Sequence, residues 1–191
     1  MRVLKFGGSS VANAENIKKV VSIVKQPNYQ KAIVIVSALG GVTDLLIATG
    51  TAAANGDDNY KDTLLSLEKR HIETAQALLP INNQSACISS IKQSFNELED
   101  ICEGVFRLGE LSGRTKDRIV SFGELLSSKI ISFYIQSTGN AIEWIDSRKA
   151  IKTNSNFGFA AVDFVATTKN INAIVSASTN TLFIAPGFIA S

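Results

Sequence analysis

A lysine followed by two glycines and two serines is the first group in this sequence with the chemistry to bind a phosphate. Lys5 lies in the apolar run at residues 2–6, and Gly7, Gly8, Ser9 and Ser10 follow it directly. Adjacent glycines let the backbone turn sharply and bring its N–H groups close to a ligand, and a following helix would present its positive N-terminus to the same phosphate. Lys5 would supply a cation, because an ammonium within an apolar strand needs a partner. An ordinary tight turn after a strand is the alternative interpretation of the two glycines.

A polar stripe on a later helix contains a second candidate site residue. Asp117, Ser121, Glu124 and Ser128 recur at intervals of four, three and four residues, opposite the apolar positions of the same helix. Their small hydroxyl groups differ from the Lys/Glu mixture that is typical of a water-facing helix. Two interpretations stay open for this stripe: a solvated face, or a ligand site around Glu124.

Hydrogen-bonding and charged groups also follow two other predicted strands. Ser37, a second glycine pair and Thr43 come after the apolar run at residues 33–36, and Asp146 and Arg148 come after a third run. Ligands of open parallel sheets bind beyond the carboxyl ends of the strands, so we expect these groups to meet at one edge of a sheet. For Asp146 and Arg148 alone, an exposed ion pair is the favoured interpretation.

The histidine and cysteine content limits the available chemistry. His71 is the only histidine, which argues against a multi-histidine metal site and a Ser-His-Asp triad. It lies on an apolar helical stripe, so a satisfied structural histidine is favoured over a functional one. Cys87 and Cys102 have no C-x-x-C spacing and occupy apolar helix positions, which predicts buried thiols. We predict no metal-ligating residues, and any chemistry must use Lys, Asp, Glu and backbone groups.

The composition is typical of a globular domain. The chain has 191 residues, 45% of them hydrophobic, and a formal net charge of +2, which excludes disordered and fibrous classes. It lacks the Lys/Arg block that binding to a nucleic acid needs. No apolar run approaches the roughly 18 residues of a membrane span, and the first apolar run is too short for a signal peptide. We therefore expect a cytoplasmic protein with neither a nucleic-acid nor a membrane partner.

The elements that would position the candidate residues alternate between strand and helix. Apolar runs predict strands at residues 2–6, 31–38, 141–146 and 181–185. Helical spacing predicts helices over residues 17–24, over 42–54, from an N-cap at Thr115 to residue 137, and around 167–176, with a long loop over 147–158. This alternation predicts a three-layer α/β/α sandwich with a mostly parallel sheet and right-handed crossovers.

Residues 60–109 interrupt that alternation. Two stripes of apolar residues at intervals of three and four lie on either side of Pro80, which predicts two long helices that pack against each other. We interpret this stretch as a helical hairpin inserted into an α/β domain, with residues 57–112 as the insert.

Four segments in order resemble the motifs of the aspartokinases, which have the amino acid kinase fold. They are KFGGSSVA at residues 5–12, VSALGGVTDLL at 36–46, SFGELLS at 121–127 and PGFIA at 186–190. The resemblance covers the whole chain. The opening MRVLKFGGSSVANA and the long helical insert are most similar to the bifunctional aspartokinase/homoserine dehydrogenase branch.

The resemblance implies transfer of the γ-phosphoryl group of ATP, with Mg²⁺, to the side-chain carboxylate of L-aspartate. By the matching motifs, Lys5 would neutralise the transferring phosphoryl as the catalytic residue, and Gly7, Gly8 and Ser9 would donate to the ATP phosphates. Ser37 and Thr43 would hydrogen-bond the aspartate, and Glu124 would bind its ammonium group. These roles suit phosphoryl transfer, which depends on positioning and charge stabilisation.

The family motifs continue beyond the PGFIA segment with residues that complete both substrate sites. We therefore expect the chain to be the N-terminal, amino-acid-binding lobe of a larger enzyme with an incomplete C-terminal lobe, inactive by itself. In full length we expect a homo-oligomer and, for the bifunctional branch, a dehydrogenase half that uses NADP. The alternatives are another amino acid kinase, acting on glutamate, N-acetylglutamate or a nucleotide, and a non-catalytic binding module. The SFGE motif at residues 121–124 argues against the first alternative.

Overall fold

Four parallel strands form the centre of the computed structural model, which describes residues 1–29 and 31–191. They are β1 (Arg2–Phe6), β2 (Ala32–Val36), β3 (Glu143–Trp144) and β4 (Leu182–Pro186). Their order across the sheet is β1-β2-β4-β3, and every neighbouring pair is parallel. The β4 strand is buried along its whole length. The predicted parallel sheet is confirmed.

The helices lie between the strands along the chain. They are α1 (Ala14–Val24), α2 (Val42–Ala54), α3 (Tyr60–Leu78), α4 (Ile81–Leu108), α5 (Gly113–Ser137), α6 (Ser147–Ala150) and α7 (Phe164–Ala177), with a short 3-10 turn at Pro27–Tyr29. The bounds of α2 coincide with the predicted ones. None of the helices in the described part of the chain is long and apolar enough to cross a membrane.

The sheet has a hydrophobic core on each face. Helices α1 to α5 and the side chains of Val34 and Ile184 form the larger core on one face. On the other face, Phe183, Ala185 and the residues after β3 pack against one side of α7. Alternate side chains of β2 and β4 point into the two cores, because successive residues of a strand point to opposite faces. The predicted three-layer α/β/α sandwich is confirmed.

Helices α3 and α4 form the predicted hairpin. Pro80 is the N-cap of α4, and Gly109, in the left-handed region at φ 65°, ends that helix. The hairpin packs against α2 and α5. Cys87 and Cys102 are buried free thiols on α4, and burial raises their pKa values to about 12 and about 11, which makes them poor nucleophiles. The prediction for both cysteines is confirmed.

His71 is buried within the hairpin but only partly satisfied. Its Nδ1 lies 2.7 Å from the carbonyl oxygen of Leu67, and its ring packs edge-on against Phe95 at 5.5 Å between centroids. Its Nε2 has no hydrogen-bond partner among the described residues. Burial lowers the pKa of His71 to about 4, so the ring is neutral at pH 7. The predicted burial is confirmed, and the prediction of a satisfied histidine holds for Nδ1 but not for Nε2.

Several predicted boundaries differ from the structure. The N-cap of α5 is Ser112, whose hydroxyl accepts a hydrogen bond from the Thr115 N–H at 3.2 Å, so the prediction of Thr115 as the cap is wrong. Strand β3, at the edge of the sheet beside β4, has only two residues instead of the six predicted at 141–146. The segment predicted as a loop at 147–158 contains α6, capped by Asp146, and Thr153, which forms an isolated bridge with Val162 beyond it.

Candidate active site

The loop after β1 carries the first set of predicted site residues. The Ser10 N–H donates to the Gly7 carbonyl at 2.9 Å, and the Asn16 side chain donates to the Ser9 carbonyl at 2.8 Å. Helix α1 begins only at Ala14, and the Asn13 side chain already caps its first turn. These capped turns separate Gly7 and Gly8 from the start of α1 along the chain, and the assistance of the helix N-terminus to a phosphate stays a prediction.

The loop after β2 carries the second set. Ser37 is half-buried, and its N–H donates to the Phe6 carbonyl at 3.1 Å, which ties the start of this loop to the end of β1. Gly41 takes a left-handed conformation at φ 76° immediately before α2. Thr43 lies in the first turn of α2 and is half-buried. Both predicted hydroxyl residues thus flank the same tight turn.

The two loops lie against each other. A Cβ at Gly8 would be 3.5 Å from the Ala38 carbonyl oxygen and 3.9 Å from the Ser37 hydroxyl. A Cβ at Gly40 would be 2.9 Å from the Cβ of Ala12, which is closer than real Cβ contacts come. Gly40 therefore makes the close approach of the loops possible.

Glu124 faces the second loop from α5. Glu124 is only 6% exposed. Burial raises the pKa of Glu124, and hydrogen bonding from its own backbone N–H, the Ala38 N–H and the Ser37 hydroxyl partly opposes that shift. A buried carboxylate beside two donors can bind a ligand's ammonium group. For Glu124 the solvated-face interpretation of the stripe is excluded.

The other members of the stripe lie in different surroundings. Ser128 is buried and accepts a hydrogen bond from the Trp144 indole N–H at 2.9 Å, which is a structural contact. Asp117 is exposed and accepts from the Gly158 N–H at 2.6 Å, which joins the 153–162 segment to α5. Of Asp117, Glu124 and Ser128, Glu124 is the residue that adjoins the loop after β2.

Two residues of α5 with no predicted role position Glu124. A Cβ at Gly123 would lie 2.8 Å from the Cβ of Ala38, and the Ser127 hydroxyl donates to the Ser37 carbonyl at 2.6 Å. Gly123 thus lets α5 approach the loop closely enough for Glu124 to reach Ser37. A glycine inside a helix lowers helix stability by up to about 1 kcal/mol relative to alanine. A glycine at this position of a predicted helix is therefore the sequence signal that another segment packs closely there.

Lys5 lies at the same edge of the sheet but on the opposite face. Leu4 and Phe6 pack against the larger core, so Lys5 between them points the other way. Its partner in register is Ile35, which packs against the smaller core. The Lys5 side chain is exposed. The structure therefore brings Gly8, Ser37 and Glu124 together at the carboxyl ends of the strands. Lys5 lies at the same end of the sheet, but its side chain is on the opposite face.

Asp146 and Arg148 form the predicted ion pair beyond β3. The guanidinium donates to both carboxylate oxygens, at 2.9 and 2.8 Å. Burial alone would raise the pKa of Asp146, but the hydrogen bonds and charge of Arg148 outweigh burial and lower it. The predicted ion pair is confirmed and both charges have a partner, but the prediction that the pair is exposed is wrong for Asp146, whose side chain is only 11% exposed.

Comparison with known proteins assigns the sequence to one family. The sequence model of the amino acid kinase family matches residues 1–191. The chain is 28% identical over 190 residues to bifunctional aspartokinase/homoserine dehydrogenase 2, chloroplastic, of Arabidopsis thaliana, covering 99% of the chain and 21% of that relative. It is 34% identical over 140 residues to aspartokinase 1, chloroplastic, of the same organism, covering 72% of the chain and 24% of that relative.

The solved structures show the same fold. The structure of E. coli aspartokinase III in complex with aspartate and ADP superposes with a TM-score of 0.86 at 26% identity, over 100% of this chain and 41% of that one. The chain thus spans about a fifth of the length of these curated relatives and less than half of that structure. Because the family match extends over all 191 residues, the protein belongs to the amino acid kinase family.

Proposed function

We propose that the protein containing this chain is an aspartate kinase, which transfers the γ-phosphoryl group of ATP to the side-chain carboxylate of L-aspartate. The observation that carries this proposal is the buried Glu124 carboxylate, held by Ser37 and Ala38 at the loop that adjoins Gly8. Similarity to aspartokinases over the chain supports the choice of substrate.

In the proposed site, the amino acid lies on the α5 side of the sheet edge. Glu124 binds the ammonium group of aspartate, and the Ser37 and Thr43 hydroxyls hydrogen-bond the same ligand. A buried carboxylate suits this role, because a charge-assisted hydrogen bond is stronger where water is scarce. The existing hydrogen bonds to Ser37 and Ala38 hold the Glu124 side chain in place before the ligand arrives.

The phosphates of ATP lie on the β1 side of the edge. Backbone donors at Gly7 and Gly8 and the Ser9 hydroxyl contact them, and the exposed Lys5 ammonium neutralises the charge on the transferring group. Mg²⁺ arrives with the nucleotide, bound to phosphate oxygens, and neutralises part of the same charge. An acceptor carboxylate at Ser37 and a phosphoryl group at Lys5 would then approach each other across the carboxyl ends of β1 and β2.

The organisation of the longer protein is part of the same proposal. Residues 1–191 are the amino-acid-binding lobe of the kinase domain, with residues 57–112 as an insert. Similarity to the bifunctional relatives supports a dehydrogenase half. We propose in addition that this half uses NADP and that the full-length protein is a homo-oligomer. The 191 residues alone are expected to be inactive, as a partial kinase domain. A cytoplasmic location stays a prediction, and the relatives named above are chloroplastic.

A coupled assay of ADP release on the full-length protein tests the proposed substrate. With saturating ATP and Mg²⁺, L-aspartate should support turnover, whereas L-glutamate, N-acetylglutamate and nucleoside monophosphates should not. Turnover with one of these in place of aspartate would assign the protein to another branch of the family. Binding of aspartate or ATP without turnover of any acceptor would show a non-catalytic binding module.

A further inference from the structure

Arg70, on α3 of the hairpin, contacts both loops of the candidate site. Its Nη2 donates to the Gly40 carbonyl at 2.7 Å and to the Ala12 carbonyl at 3.3 Å. Gly40 belongs to the loop after β2, and Ala12 belongs to the loop after β1. One guanidinium nitrogen therefore joins two segments that are 28 residues apart in sequence and that carry the two sets of proposed ligand contacts.

Arg70 bonds to different partners from those of three other arginines, which form ion pairs. Arg107, Arg118 and Arg148 each pair with a carboxylate. Arg70 is half-buried and, within residues 1–29 and 31–191, forms no ion pair; its recorded donor contacts are the two carbonyls. A guanidinium carries several donors in a rigid fork, so it can bond two backbone oxygens at a fixed spacing.

The contact lies where the two loops approach each other closely. A Cβ at Gly40 would meet Ala12 at 2.9 Å and would lie 3.8 Å from the Gly8 carbonyl oxygen. Because Arg70 Nη2 bonds one carbonyl oxygen of each loop, it holds these two oxygens close to the same point. Arg70 thereby stabilises the spacing at which Gly8 lies beside Ser37.

We propose that Arg70 is a positioning residue, which holds the loop after β1 and the loop after β2 at the spacing that phosphoryl transfer requires. This inference rests on the proposed function, because it assigns the phosphates to the first loop and the amino acid to the second. Without Arg70, the loops occupy the correct arrangement for only a fraction of the time. The apparent affinity for each substrate falls by that fraction, so both KM values rise together.

Steady-state kinetics of Arg70→Met and Arg70→Lys in the full-length protein test the proposal. For Arg70→Met, we expect kcat/KM to fall about 10- to 100-fold, the range for a lost charged hydrogen bond, with a rise in KM for both ATP and the amino acid. Arg70→Lys keeps the charge but has fewer oriented donors, so its kcat/KM should lie between those of the wild type and Arg70→Met. A merely structural role would lower the active fraction, and hence kcat, and leave both KM values unchanged.

Lys69→Met is the matched control. Lys69 is the preceding residue of the same helix, its side chain is 77% exposed, and it lies 3.9 Å from the Glu73 carboxylate. The substitution removes the same charge with no contact to either loop, and both KM values should stay within twofold of the wild type. The proposal is overturned if the KM values of Arg70→Met equal those of Lys69→Met. It is also overturned if only one of the two KM values of Arg70→Met changes. If Arg70→Met does not fold, Arg70→Lys decides by the same criterion.

Amide hydrogen exchange gives a readout that does not depend on the substrate. The N–H groups of Ser10 and Val42 are hydrogen-bonded within the first and second loop respectively. Both should exchange at least about 10-fold faster in the Arg70 variants, whereas the amides of residues 122–128 in α5 should not change. Unchanged exchange at Ser10 and Val42 refutes the positioning role even if the wild-type protein uses another amino acid. Faster exchange in a protein that does not phosphorylate aspartate refutes the proposed substrate alone.

Discussion

Glu124 shows how burial changes the chemistry of one side chain. A carboxylate on a water-facing helix would titrate near its ordinary pKa, but Glu124 is 6% exposed and its pKa is raised. The hydrogen bonds from Ser37 and Ala38 favour the charged form and keep part of its anionic character. The residue therefore has both the charge and the fixed orientation that recognition of an ammonium group requires.

The first prediction concerns Glu124→Gln in the full-length protein. An amide cannot neutralise an ammonium group, so KM for aspartate should rise about 10- to 100-fold while KM for ATP stays within twofold. Because burial raises the pKa of Glu124, protonation begins at a higher pH than for an ordinary glutamate. KM of the wild type for aspartate should therefore rise as the pH is lowered from 7, and KM of the variant should not follow it. If only the KM for ATP rose, Glu124 would contact ATP and not aspartate, and the proposed role would be wrong.

Lys5 carries the second prediction at this scale. Replacement by alanine should lower kcat by about 100-fold or more with little change in KM for aspartate, because the charge that Lys5 meets grows in the transition state. Lys31→Ala, another exposed lysine, just before the opposite end of β2, is the control and should leave kcat unchanged. A Lys5→Ala enzyme within threefold of the wild type would remove this residue from the site.

At the scale of elements, the contact of α5 with the loop after β2 defines the candidate site. Gly123 allows the approach, and the Ser127 hydroxyl bonds the Ser37 carbonyl. Helix α5 is buried on nearly every side from Phe122 to Ser128, between the sheet and the hairpin. A shift of this helix would move Glu124 relative to Ser37.

Gly123→Ala tests that contact. The new methyl group would lie 2.8 Å from the Cβ of Ala38, so the variant should lose about 1–3 kcal/mol of unfolding free energy and show a raised KM for aspartate. Gly104→Ala is the matched control: it lies inside α4 with nothing within 4 Å of the added Cβ. It should gain up to about 1 kcal/mol, because alanine favours the helix. Urea denaturation measures both, and equal stabilities of the two variants would show that the close approach of α5 is unimportant.

At the scale of the whole molecule, the hairpin and the sheet share one continuous core. The larger core extends from β2 and β4 through α5 to α3 and α4, with no break in the cluster of buried residues. His71 lies inside this cluster with a neutral ring. Unfolding exposes the ring to water, so its protonation is linked to global stability.

The final prediction follows from that linkage. The folded pKa of His71, about 4, is below the ordinary value of 6.5, so the unfolded chain binds more protons between these pH values. Stability is therefore lost as pH falls from about 6.5 to about 4. Between pH 7 and pH 5 the loss from this residue should be about 2 kcal/mol. In His71→Leu the same pH change should cost about 2 kcal/mol less, measured by urea denaturation. Equal pH dependence of the two proteins would contradict the burial of a neutral ring.

Helix α2, the α3–α4 hairpin and the parallel sheet were predictable from the sequence. Their signals are local: the spacing of apolar residues, Pro80, and the alternation of strand and helix. Ser37, Thr43 and Glu124 could be chosen because they follow or accompany such elements, and the resemblance to aspartokinase motifs gave them roles. The bounds of β3 and the cap of α5 were less predictable, because a short edge strand and competing hydroxyl residues give weak local signals.

The tertiary structure alone decided how these residues meet. The placement of Lys5 and Glu124 on opposite faces of the sheet depends on which face of β1 the hairpin and α5 cover. The contacts of Ser127 with Ser37, and of Arg70 with Ala12 and Gly40, join residues that are far apart in the chain. Periodicity records only which face of an element is apolar. The partner of a polar group on that element depends on how distant segments pack, and that packing follows from the whole set of side chains in the core.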